Sequence, residues 1–114
     1  MFRIAFAGIF AASLLLASAG TAAAADLLVI HHKVADYAKW RPVFDGHKTR
    51  QEAAGLTNPR VYRALDDAND ITIVFDMADP AKAKTFTSSK DLKTTMGKAG
   101  VVGRPSFTYL QTAP

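Results

Sequence analysis

The chain has 114 residues, no cysteine, 49% hydrophobic residues and 14 basic against 10 acidic side chains. That length is one small domain, and the missing cysteine excludes disulfides, a lipoprotein anchor and a thiol nucleophile. Apart from Arg3, the positive charges run from Lys33 to Arg104 with no aromatic-interleaved stripe, a distribution that argues against nucleic acid as a partner.

The N-terminus reads as an address rather than as structure. Arg3 gives a positive start, Ile4 to Leu16 is apolar and uncharged, and Ala23, Ala24 and Ala25 supply the small residues a signal peptidase accepts before Asp26. A retained anchor is the competing reading, but Ser13, Ser18, Thr21 and the alanines make the span weakly hydrophobic. Residues 1–25 are therefore expected to be a cleaved signal peptide and 26–114 the domain, periplasmic or secreted, with no membrane contact after cleavage. With a single arginine before the apolar run, Sec-type export of an unfolded chain is expected, and no cofactor loaded in the cytoplasm. Cleavage leaves 89 of the 114 residues and removes one charge, Arg3. A domain of that size without disulfide or metal gains from association.

From Asp26 to Val34 both parities carry apolar residues, the mark of a strand covered on both faces. Asp36 can cap a helix whose inner stripe is Tyr37, Trp40, Phe44, His47, Gln51 and Ala54 and which ends at Gly55. Pro42 lies too deep for a first-turn proline, so a kink or fresh start is expected there. Asn58 to Leu65 and Ile71 to Met77 read as strands joined by a polar turn, 66–70. Asp79 and Pro80 start a second helix with Ala81, Ala83 and Phe86 inward; Ser89 caps a further turn ended by Gly100; and Ser106 to Leu110 is a last strand. The order is β-α-β-β-α-β, a ferredoxin-like α+β fold: a four-stranded antiparallel sheet with helices on one face. The other sheet face would carry leftover apolar groups such as Val74, so a homodimer through that face, a dimeric α+β barrel, is expected.

The residues His32, Lys33 and Val34, Asp36 and Tyr37, Trp40, Pro42 to Asp45, His47, Ala53 to Leu56, and Ala99 to Gly103 with Pro105 together resemble a group of small bacterial proteins of the dimeric α+β-barrel superfamily. That group is related in fold to the antibiotic-biosynthesis monooxygenases. The resemblance covers nearly all of the mature chain and implies the fold; it carries over no catalytic residues.

His31 and His32 are strand neighbours, must point to opposite faces and cannot clasp one metal ion; no metal site is expected. His32 shares the more apolar parity with Leu28, Ile30 and Val34, so it and His47 are candidates for one pocket, although each also fits a hydrogen-bonded boundary position. Trp40 and Phe44 at helical spacing are core residues or a ligand platform. Arg60 and Tyr62 share one face of the second strand, and Asp76 shares a face with Thr72, where a charge pair at the sheet edge is the plain explanation. No nucleophile elbow, phosphate loop or dinucleotide fingerprint is present. Two functions follow as expectations. The first is an exported dimeric barrel that binds a small, partly apolar molecule. The alternative is a cofactor-independent monooxygenase or isomerase acting on an aromatic or enolisable substrate, in which His47 or His32 takes a proton, Trp40 and Phe44 hold a ring, and Arg60 or Tyr62 steadies the anion. An open cavity of roughly 300 Å³ or more containing a histidine would favour binding or chemistry; a filled core would favour a structural role.

Overall fold

Alternating side chains set the sheet. The computed structural model describes residues 25–114, and the expected signal peptide lies outside the described residues apart from Ala25. Strands β1 (Asp26–Val34), β2 (Leu56–Ala64), β3 (Asp67–Met77) and β4 (Val101–Leu110) form one antiparallel sheet in the order β2-β3-β1-β4. Between them lie α1 (Tyr37–Gly46) with α2 (Lys48–Ala53), and α3 (Pro80–Thr87) with α4 (Lys90–Ala99). This is the ferredoxin-like fold with each crossover helix in two pieces. Leu28, Ile30, His32 and Val34 of β1 and Ile71, Ile73, Phe75 and Met77 of β3 are all buried against the helices. Leu27 and Val29 lie opposite Asp76 and Val74 across the other face.

The helix starts are local chemistry. The Asp36 carboxylate accepts from the Ala38 amide at 2.9 Å, and the side chain of Asn69 at the start of β3 accepts from the Tyr37 amide at 2.9 Å, which ties α1 to the sheet. Asp79 caps α3 ahead of Pro80, and Ser89 caps α4 by accepting from the Leu92 amide at 3.1 Å. Gly100 ends α4 at φ 81°, a conformation in which a side chain would be strained.

Three local expectations are corrected. The first crossover helix does not break at Pro42: α1 runs through it, and the break comes at His47, whose φ and ψ of −94° and 8° are not helical. Pro42 and Ala38 are both exposed, so the Ala38 carbonyl that loses its amide partner can be satisfied by water. Second, β4 begins at Val101 rather than Ser106. Gly103, at φ 75°, and Pro105 sit in an irregularity where the pairing jumps from His31 with Ser106 to Lys33 with Val102, and an edge strand tolerates both residues. Third, β3 begins at Asp67, so the turn is shorter than 66–70 and Leu65 falls in it, fully exposed, instead of contributing an apolar strand position.

Candidate functional site

Four of the six candidate residues line one cavity between the helices and the sheet. β1 supplies His32, α1 supplies Trp40 and Phe44, and the bend after α1 supplies His47. The aromatic rings form a continuous wall: His32 meets Trp40 edge-on at 5.8 Å between centroids, Trp40 stacks on Phe44 at 4.8 Å, and Phe44 packs on Phe75 at 6.1 Å. Phe86 of α3 closes the outer side, its ring 5.7 Å from that of His47. The cavity measures about 40 Å³. That is room for a water molecule or two, far below the roughly 300 Å³ of a ready-made small-molecule site, so a ligand larger than water must move part of the wall.

The two histidines differ in their surroundings. His32 is 3% exposed, and its Nδ1 has no hydrogen-bond partner among the described residues. Burial pushes its pKa below the ordinary value of 6.5, so the ring is neutral at neutral pH. An unfolded chain takes up this proton near pH 6.5, whereas the native chain resists it, so acidification through pH 6.5 favours unfolding. Acid stability is therefore expected to fall by up to about 1.4 kcal/mol per pH unit below that point. Urea titrations at stepped pH should show a shallower loss for His32→Gln; equal slopes for the two proteins would refute the assignment. His47 sits at the rim, with its Nε2 3.1 Å from a carboxylate oxygen of Asp91, which also accepts from Arg50 at 3.3 Å.

Arg60 and Tyr62 do not join this group. They stand beside Val74 and Thr72 on the opposite, uncovered face of the sheet, so neither can steady an anion formed next to His32 or His47. Arg60 instead holds Asp76 at 3.0 Å, the charge pair expected at an edge strand. His31 also faces that side and bonds to Asp70. Among the described residues no three histidine, aspartate or glutamate side chains are grouped as metal ligands.

Sequence reasoning missed Asp91. It lies 44 residues from His47, and nothing local marks a carboxylate in the first turn of a capped helix as a histidine partner. Gln51, placed on the inward stripe, is buried and donates to the Phe44 carbonyl at 3.3 Å, bracing the bend between α1 and α2.

No protein-family model and no curated protein matches the chain. Solved structures do. A provisionally assigned antibiotic biosynthesis monooxygenase from Bordetella bronchiseptica aligns over 79% of this chain and 99% of its own, with a TM-score of 0.64 and 14% identity. Another from Caulobacter crescentus aligns over 78% and 90%, with a TM-score of 0.60 and 18% identity. SnoaB, a cofactor-independent oxygenase from Streptomyces nogalater, aligns over 80% and 97%, with a TM-score of 0.53 and 14% identity. At these identities the likeness is one of fold: the chain has the ferredoxin-like architecture of antibiotic biosynthesis monooxygenases.

Proposed function

We propose that this ferredoxin-like chain is an exported, dimeric α+β-barrel protein that binds a small, partly apolar molecule in the cavity between its helices and its sheet. The observation that carries this reading is the buried Nδ1 of His32, left without a partner at the edge of an aromatic wall. Leaving a polar atom so costs about 1–3 kcal/mol, and a bound molecule with a hydroxyl or carbonyl removes that cost. At about 40 Å³ the cavity falls short of the volume that favours binding or chemistry over a structural role, so binding here requires the wall to open. Native mass spectrometry of protein recovered from its own periplasm is the test. A small organic adduct lost on His32→Phe is expected; a bare polypeptide mass throughout would overturn the reading.

Export rests on the sequence of residues 1–25. The mature protein is expected to begin at Asp26, and N-terminal sequencing of the exported form checks it; a species retaining Met1 would refute cleavage. Dimerisation is supported by the uncovered sheet face, where Leu27, Val29 and Val74 are half-buried and Tyr62 and Leu110 are 56% and 44% exposed. Covering these groups with a second copy contributes at about 25 cal/mol per Å² of apolar area.

A second reading, a cofactor-independent oxygenase or isomerase, is supported by the neutral imidazole of His32 against the Trp40 and Phe44 stack and by the fold shared with SnoaB. In it His32 accepts a proton from an activated carbon acid, with no contribution from Arg60 or Tyr62. Dioxygen uptake with an enolisable aromatic substrate, absent in His32→Gln, would favour it over binding alone.

A further inference from the structure

The geometry points to a longer site, of which the small cavity is only the deep end, built for an amphipathic monocarboxylate. A groove of about 730 Å³ opens on the outside of the helices, between α2 and the corner where α3 meets α4. Phe86 lines both spaces. Asp91 lines the groove and holds His47, which lines the cavity, so Phe86 and His47 stand between the two spaces, with Asp91 and Arg50 as a latch. His47 is 12% exposed at the side chain, which places it at the boundary with solvent.

The groove carries a net positive charge. Arg50 and Lys82 face it against the single carboxylate of Asp91, and Thr49, Thr85 and Ser89 add hydroxyl groups. An incoming carboxylate can compete with Asp91 for Arg50, which frees Asp91 and His47 to turn away, and Phe86 with them. The chemistry along the path then runs from cationic, past the rings of Phe86, Phe44 and Trp40, to the ring of His32, whose Nδ1 is buried without a partner. A complementary ligand has a carboxylate at one end, a flat or flexible apolar body, and a hydroxyl or carbonyl at the other. This inference rests on the binding reading above and adds the ligand's class and its route of entry.

Trp40 is the only tryptophan, and it lies in the cavity wall, so its emission reports occupancy of the deep end. The probes are 3-(4-hydroxyphenyl)propionate, its uncharged amide, and 3-phenylpropionate, which lacks the hydroxyl. The hydroxy acid is expected to give a saturable change in Trp40 emission, with the amide and the unhydroxylated acid each bound about tenfold more weakly. The exposed double substitution Arg50→Gln with Lys82→Gln should abolish the preference for the acid over the amide. Equal binding of acid and amide, or a preference that survives the double substitution, would overturn the two-part site while leaving the binding reading intact. No saturable change with any probe, alongside a native adduct in mass spectrometry, would also overturn the two-part site alone; no change and no adduct would overturn both.

Discussion

Replacing Phe75 with alanine is expected to cost about 3–5 kcal/mol. Phe75 is 1% exposed, pairs across the sheet with Leu28, and carries the Phe44 ring on its helix side. Its removal takes away a large buried ring and leaves a void that the rigid sheet cannot close. Against the roughly 5–15 kcal/mol that small domains possess in total, such a loss puts the variant near its folding threshold. Urea denaturation should show a much lower midpoint with an unchanged slope. Because Phe75 also lines the candidate cavity, the enlarged space should admit a small apolar molecule, and indole should raise the melting temperature of the variant more than that of the wild type. A loss below about 1 kcal/mol would mean that the core does not centre on this ring.

The second large effect concerns association. Val74 stands in the middle of the uncovered sheet face, between Arg60 of β2 and Val29 of β1. A two-fold dimer through this face sets each patch against its own copy, so Val74→Asp introduces two carboxylates into one interface with no cation added. Leaving charges unpaired in such a place weakens association by on the order of 100-fold or more. Light scattering at micromolar concentration should give twice the chain mass for the wild type and a single chain mass for the variant, with Val74→Ala between them. A wild-type monomer would refute the dimer outright. The face is less apolar than the alternation of β1 and β3 alone suggests, because the Arg60–Asp76 and His31–Asp70 pairs share it. Its apolar residues Leu27, Val29, Val74 and Leu110 cluster toward the end where β1 begins, bordered on the β2 side by the Arg60–Asp76 pair, and the His31–Asp70 pair occupies the other end. The interface is therefore expected to centre on that apolar end, with the ion pairs at its rim.

The sequence by itself determined what depends on a few neighbouring residues. The bounds of β1, the caps at Asp36, Asp79 and Ser89, and the stop at Gly100 all follow from hydrogen bonds or dihedral preferences spanning at most four positions. The two-residue period placed Ile30 and His32 on one face and His31 on the other, and the helical period put Trp40, Phe44 and Gln51 inward, because burial of the apolar parity outweighs any local alternative. Only the tertiary structure decided the rest. Whether Pro42 breaks a helix depends on whether the orphaned carbonyl meets water, and whether Gly103 and Pro105 end a strand depends on that strand being at the edge. Arg60 and Tyr62 share a parity, but which side of the sheet that parity faces is set by the pairing of β2 with β3. The contact between His47 and Asp91 joins residues 44 positions apart, and the cavity's volume is a small remainder left by the packing of many side chains. No local rule carries either quantity, because each is fixed by how whole elements come together.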